Sequence, residues 1–408
     1  MDRSANRPFR WVVVALLFLA TLINYMDRQI LGLLKPDLSK TFHWSEKDYA
    51  YIVVAFQAAY AIGQVLFGPI VRWLGTKLSY AGSILLWSFA AASHALAASP
   101  MQFGLARFAL GLGESGNYPI AIQAVTEWFP PRQRSVATGI FNSGSNIGAI
   151  LTPWIVPALT LDFGWRAAFV LLGSAGLVWL LFWLVVYREA PPAQIGEPKT
   201  AAAMPWIELL EFRQTWAYVA TGILVGPVWW FYLFWLPDFF SKQFGLNLST
   251  FGPPLIAVYA VTSFGSVAGG GLSAWLLRCG WSLNAARKTA ALACAFCTVP
   301  VIFVPHLHSV WIATACFALA AAAHQGWSAT MYTVVADLFP TGAVGSIVGL
   351  GGSCAAVASM LFAWFVGLTL QKTGDYSRIL PICGSAYIAA FLIFHLMVPK
   401  LDPIAAHQ

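Results

Sequence analysis

Four charged side chains interrupt stretches that are otherwise apolar: Asp27, Arg28, Arg107 and Glu114. If the solvent around them is lipid, each costs about 2.5–3.5 kcal/mol on insertion scales unless it is paired or hydrated. The chemistry open to them is ionic. The two carboxyls can take up and release protons, and the two guanidiniums can grip an anion through planar, bidentate hydrogen bonds. Arg107 and Glu114 are seven residues apart. On a helix they share a face two turns from each other, roughly 10 Å, which is long for a direct pair and suited to a bridging partner. Asp27 and Arg28 are adjacent and diverge by about 100°, so they look toward different neighbours. The four charges sum to zero. An entering carboxylate makes the group −1, and one proton on Asp27 or Glu114 restores neutrality. Anion entry and proton entry therefore favour one another, which is the linkage a symporter needs.

Polar and aromatic side chains fit for a hydroxylated solute surround these four along the sequence: Tyr25, Tyr60, Gln64, Asn142, Ser143, Asn146, Trp229, Trp230, Tyr232, His324, Gln325 and Tyr332. Tyr60 and Gln64 are one helical turn apart and face one way, as do Asn142 and Asn146. His324 is open to two readings, a hydrogen-bonded packing residue or a proton relay. The aromatic run around 229–235 is equally open, to an interfacial belt or to stacking on a sugar ring.

Other patterns imitate chemistry. Gly111, Gly113 and Gly116 spell the dinucleotide fingerprint, but no strand precedes them and the stretch is one apolar helix. The glycines are read as room for a neighbouring helix beside Glu114. Cys294 and Cys297 form a CxxC with no second pair and no ligand His, so the six cysteines are read as inert thiols. No nucleophile, base and orienting group occur together, and no metal spacing appears. The reading is of a non-enzyme with no cofactor and no metal.

The elements that position these residues follow from composition. Of 408 residues, 59% are hydrophobic and 10% charged, against about 25% charged in soluble domains. The 19 Trp and 29 Phe suit membrane interfaces. The net charge of +7 is spread over short loops without a basic stripe, which excludes nucleic acid as a partner. Arg3, Arg7 and Arg10 before an apolar run imitate a signal peptide, but the run continues into Tyr25–Arg28 and is read as a retained first crossing.

Twelve apolar stretches are long enough to cross a bilayer: 11–34, 49–72, 78–98, 101–124, 134–159, 166–188, 214–240, 252–277, 288–305, 309–337, 345–371 and 379–399. The fold class is therefore an all-α membrane protein of two six-helix bundles. The N-terminal bundle occupies 1–190, a Pro-rich cytoplasmic linker 191–213, and the C-terminal bundle 214–408. With both termini in the cytoplasm, fourteen of the 23 Lys and Arg fall in cytoplasmic segments, seven on the opposite side and two within helices. This bias obeys the positive-inside rule and supports an even number of crossings, and the expected location is the cell (inner) membrane.

The halves repeat each other. Pro36-Asp37 after the first helix matches Pro237-Asp238 after the seventh. Glu127-Trp128-Phe129-Pro130 and Gly139 match Asp337-Leu338-Phe339-Pro340 and Gly349. Parallel repeats of this kind are a transporter architecture, with the solute site near the midplane between the halves. Gly144 and Gly148, Gly265 and Gly269, and Gly349, Gly351 and Gly352 mark close helix packing, static or sliding.

At these residues the chain resembles the major facilitator superfamily, and within it the anion:cation symporters, hexuronate transporters nearest and galactonate transporters a step further. The resemblance rests on Asn24-Tyr25-Met26-Asp27-Arg28, Arg107 to Pro119, Glu127–Pro130, Trp235-Leu236-Pro237 and His324–Ser328. It implies that Asp27 and Glu114 are the protonated carboxylates. Arg28 and Arg107 would couple to them or hold the substrate carboxylate, and Tyr60 would touch substrate. It also implies alternating access by rocking of the halves.

Two features depart from that pattern. Arg72 stands where the superfamily places an Asp between the second and third helices, with Ala274 at the matching place in the second half. Ser145 stands where galactonate carriers have a longer amide.

The expected function is proton-coupled uptake of a sugar-acid anion such as glucuronate or galacturonate. A monomer in the lipid bilayer would do this, with the anion and protons as its partners. A carrier for another carboxylate, or a receptor on the same scaffold, are the alternatives.

Overall fold

The computed structural model describes residues 6–188 and 206–404. Those residues are helical almost throughout, as an apolar solvent requires: a backbone in hydrocarbon must satisfy its N–H and C=O groups within its own segment. The first compact unit comprises Met1–Gln194 and Gly245–Ile256, and the second comprises Ile195–Phe244 and Ala257–Gln408.

In the first unit, α1 (Asn6–Phe42) has 37 residues, about 55 Å at 1.5 Å per residue. It overshoots the ~30 Å hydrocarbon core. α2 (Glu46–Ser93) starts at a capping box in which the Ser45 hydroxyl accepts from the Asp48 N–H and the Asp48 carboxylate accepts from the Ser45 N–H. Its 48 residues hold two crossings, folded at Gly75, whose φ of 75° and ψ of 170° are non-helical. The loop expected between the second and third crossings is thus a single glycine hinge. A short 3₁₀ turn (His94–Leu96) leads to α3 (Pro100–Glu114), which starts at a Ser99 cap. α3 stops where the sequence pattern runs on, and the crossing resumes as α4 (Asn117–Trp128). α5 (Pro131–Phe163) and α6 (Trp165–Val186) complete six crossings.

In the second unit the short α7 (Trp206–Glu211) precedes α8 (Arg213–Phe244), α9 (Gly252–Arg278) and α10 (Leu283–Thr298) with its 3₁₀ extension Val299–His306. α11 (Val310–Leu338), α12 (Thr341–Thr373) and α13 (Ile379–Met397) follow. Residues 191–205 of the expected linker lie outside the described residues. Among the described residues nine helical stretches are long and apolar enough to cross a membrane. Glu46–Leu96 holds two crossings, the pair α3–α4 forms another, and α11, which carries His324-Gln325, makes twelve.

The internal repeat survives in local geometry. Pro130 precedes α5 with φ −64° and ψ 152°, and Pro340 precedes α12 with φ −54° and ψ 147°. The carboxylates of the two matching motifs are held differently. Glu127 accepts from the Thr76 hydroxyl at 2.6 Å and the Tyr187 hydroxyl at 3.2 Å. Asp337 instead pairs with Arg287 at 2.9 Å, and Arg287 also donates to Ser273.

Small residues decide how closely helices approach. A Cβ at Gly144 would fall on the Phe18 carbonyl of α1, and one at Gly148 would lie 2.6 Å from the Leu22 carbonyl. Gly265 and Gly269 lie likewise against Ala322 and Gly326 of α11. The expected trio in α12 packs only in part: Gly351 meets Tyr218, while Cβ atoms at Gly349 and Gly352 would meet nothing within 4 Å. Gly144→Ala is therefore expected to lower the thermal midpoint of the purified protein, at about 1–3 kcal/mol for overpacking. Gly349→Ala should stay within about 0.5 kcal/mol. Equal midpoints for the two variants would contradict the close approach of α1 and α5.

Candidate functional site

The four intramembrane charges converge in the first unit. Arg28 on α1 donates from Nε to Glu114 Oε2 on α3 at 2.9 Å, with both side chains buried. Its Nη2 donates to Asn24 Oδ1 one turn back at 3.1 Å. Arg107 donates from Nη1 to the Arg28 backbone carbonyl at 3.1 Å. Asp27 lies within Coulombic reach of both Glu114 and Arg107. Asp27 and Arg28 thus both lie near Glu114, Arg28 by a direct ion pair.

Aromatic rings line the guanidiniums. The Arg28 Cζ lies 4.7 Å from the Tyr25 ring centroid, 4.9 Å from Tyr60 and 5.5 Å from Phe56. Arg107 lies 5.6 Å from Phe56. Ring faces attract cations, and both guanidiniums lie against the Phe56 ring.

Several polar atoms here have no hydrogen-bond partner among the described residues: both oxygens of Asp27, Oε1 of Glu114, and Nε and Nη2 of Arg107. Asp27, Arg107 and Glu114 are 1%, 1% and 0% exposed. Buried polar groups are almost always bonded, and leaving one unmet costs about 1–3 kcal/mol, more for a charge. A cluster holding donors and acceptors in reserve can change partners when a charged ligand or proton arrives.

Local folding explains how Glu114 is aimed. It is the last residue of α3, before the Ser115–Gly116 break. Behind the break a hydrogen-bond chain ties three segments. Tyr80 donates to Asn117 Oδ1 at 2.6 Å, and Asn117 Nδ2 donates to Thr21 of α1 at 3.3 Å. The glycines of the false fingerprint allow α2 to approach: Cβ atoms at Gly111, Gly113 and Gly116 would strike the Phe56 carbonyl, Trp87 and Phe67 respectively.

Of the residues singled out from sequence, Tyr25, Asp27, Arg28, Tyr60, Arg107 and Glu114 form this cluster. Gln64 and Asn142 are exposed and Asn146 half-buried. Among the described residues none of these three side chains bonds to the cluster. Sequence reasoning missed Phe56, and also Gln57, buried with neither amide atom bonded. It missed Asn117 and Tyr80 as well. Gln57 was legible, lying three residues before Tyr60 and so on its face.

In the second unit, the described partners of the sequence-selected residues are neutral. His324 of α11 is hydrogen-bonded through Nδ1 to the Tyr387 hydroxyl of α13 at 2.5 Å. Trp229 of α8 stacks on it with centroids 5.0 Å apart and planes 5° from parallel. Trp230 stacks on Phe234 at 5.6 Å. Gln325 is half-buried and Tyr332 is 55% exposed.

Known proteins resemble the chain along most of its length. The family described as Major Facilitator Superfamily matches residues 17–363. The "Hexuronate transporter" of Escherichia coli (strain K12) is 30% identical over 391 residues, 90% of this chain and 89% of that protein. The "Galacturonate transporter" of Dickeya chrysanthemi is 33% identical over 261 residues, 59% of this chain and 75% of that one. Among solved structures, a D-xylose-proton symporter superposes with a TM-score of 0.79 at 15% identity, covering 97% of this chain and 99% of that one. At that identity it bears on the fold alone.

Proposed function

Because the chain belongs to the Major Facilitator Superfamily, we propose that it is a secondary transporter, carrying a sugar-acid anion inward together with protons by alternating access. The substrate class is a hexuronate such as glucuronate or galacturonate, in keeping with the names of the relatives above. Orientation follows the charge bias of the loops, with both termini in the cytoplasm.

The observation that carries the reading is the neutral four-charge cluster with uncommitted donors and acceptors. An incoming carboxylate competes with Glu114 for Arg28 and finds further N–H groups on Arg107. Glu114, displaced, and Asp27, already without a donor, are the acceptors for the proton that keeps the cluster neutral. Arg28 and Arg107 hold the anion throughout, since a guanidinium does not deprotonate. Tyr25 and Tyr60, packed on Arg28, supply the flanking aromatic walls. Asn142, Asn146, Gln64, Trp230, Gln325 and Tyr332 are proposed as further contacts to sugar hydroxyls.

The test is uptake of labelled glucuronate into liposomes holding the purified chain. An acidic exterior should drive accumulation that a protonophore collapses, and unlabelled galacturonate should compete. Uptake equal at matched and unmatched pH would remove proton coupling. Competition by aromatic or dicarboxylic acids in place of uronates would move the substrate to another carboxylate.

A further inference from the structure

The His324–Tyr387 pair fixes more than a packing contact. Tyr387 is fully buried, and its hydroxyl has His324 Nδ1 as its partner at 2.5 Å. Among the described residues no other acceptor reaches that hydroxyl. If the imidazole donated from Nδ1, the phenolic hydrogen would be left buried with nothing to accept it. A buried donor stranded in this way costs its full desolvation penalty. The proton therefore lies on the Tyr387 oxygen and Nδ1 is the bare acceptor. A neutral imidazole has one N–H, so it sits on Nε2.

The surroundings hold the ring in that setting. Trp229 covers one face of the imidazole. The Tyr387 ring stands edge-on to it at 90°, and Trp327 in turn stands edge-on to Tyr387 at 5.7 Å and 90°. With one nitrogen occupied and one face covered, the 9% of His324 that stays exposed has Nε2 as its remaining polar atom. That nitrogen makes no hydrogen bond among the described residues.

We propose that Tyr387 is a positioning residue that locks His324 as a fixed Nε2–H donor, and that this donor selects a hydroxyl or ring oxygen of the solute. The assignment of the oxygen rests on the sugar-acid reading above.

Two measurements decide it. The first is the ¹⁵N spectrum of the full-length chain with labelled histidine at pH 7, His324 being identified by its loss in His324→Gln. Nδ1 should be bare and Nε2 protonated, and Tyr387→Phe should populate the opposite tautomer. A protonated Nδ1 in the unaltered chain overturns the proposal. The second is transport kinetics. His324→Gln places an amide N–H near the Nε2 position and should keep KM within about twofold. His324→Asn falls short, and it and Tyr387→Phe should raise KM about fivefold to tenfold with kcat little changed, the size of one hydrogen bond. In a panel of monodeoxy uronates, the unaltered chain should penalise one analogue, and His324→Asn should erase that penalty. Equal loss in the Gln and Asn variants, or a penalty that persists in His324→Asn, overturns the donor role. The spectrum needs no substrate. Failure of the unaltered chain to carry any uronate would sink the carrier reading while the tautomer still decides the part assigned to Tyr387.

Discussion

Asp27→Asn is expected to abolish acid-driven accumulation of the solute while leaving exchange across the membrane intact. One coupled proton contributes about 1.4 kcal/mol per pH unit, a tenfold concentration ratio. The unaltered chain should therefore hold about ten times more solute inside for each unit of inward proton gradient, and the variant about the same on both sides. The side-chain oxygens of Asp27 accept no hydrogen bond among the described residues, so the near-isosteric amide removes a charge without breaking a contact. The sign of the binding change follows. With Asp27 neutralised the cluster is +1 before the anion arrives and neutral after, so anion binding needs no proton. Binding should then persist at alkaline pH, where that of the unaltered chain falls. Counterflow and pH-jump uptake in the same liposomes separate the two behaviours. Accumulation at the unaltered level would remove Asp27 from the coupling step.

The second large effect concerns Arg28 and Glu114. Arg28→Met leaves Glu114, 0% exposed, without the guanidinium that donates to it at 2.9 Å. Breaking a buried pair from one side costs about 3–5 kcal/mol, chiefly through the stranded charge. The double variant Arg28→Met, Glu114→Leu removes both charges and should recover most of that stability. It should still not transport, since the anion loses one of the two guanidiniums proposed to hold it. Thermal midpoints in detergent, followed by size-exclusion recovery, measure the first effect and uptake the second. A double variant no more stable than Arg28→Met would mean that the ion pair is not what the single change disrupts.

Much of this was legible because lipid permits so little. Four charges in apolar surroundings are expensive enough to announce themselves, and a spacing of seven put Arg107 and Glu114 on one face. What stayed hidden depends on three-dimensional neighbours. The break after Glu114 is absent from the pattern because Ser115 and Gly116 both keep helical dihedrals, and apolar periodicity carries across them. The pairing of Arg28 with Glu114 joins residues 86 positions apart. Phe56 reads as one more apolar helix residue until two guanidiniums are seen against its ring. Tyr387 lay in a stretch with no Asp, Glu, Lys or Arg, and its partner was ambiguous until the hydroxyl met Nδ1. The hinge at Gly75 was hidden for the opposite reason: a loop was expected, and a single positive φ does its work.

The confinement of charge to one unit has an electrical consequence. Asp27, Arg28, Arg107 and Glu114 all sit on α1 and α3, whereas the charged residues of α8 to α13 stand toward helix ends, leaving their middles neutral. A transmembrane voltage does work only on charge, about 2.3 kcal/mol per elementary charge moved through 100 mV. On the coupling proposed above, voltage sensitivity in turnover would originate in rearrangements of α1 and α3 and in the ions they carry. Residues such as His324 and Trp229 can diverge to suit a new solute without altering how the cycle responds to membrane potential.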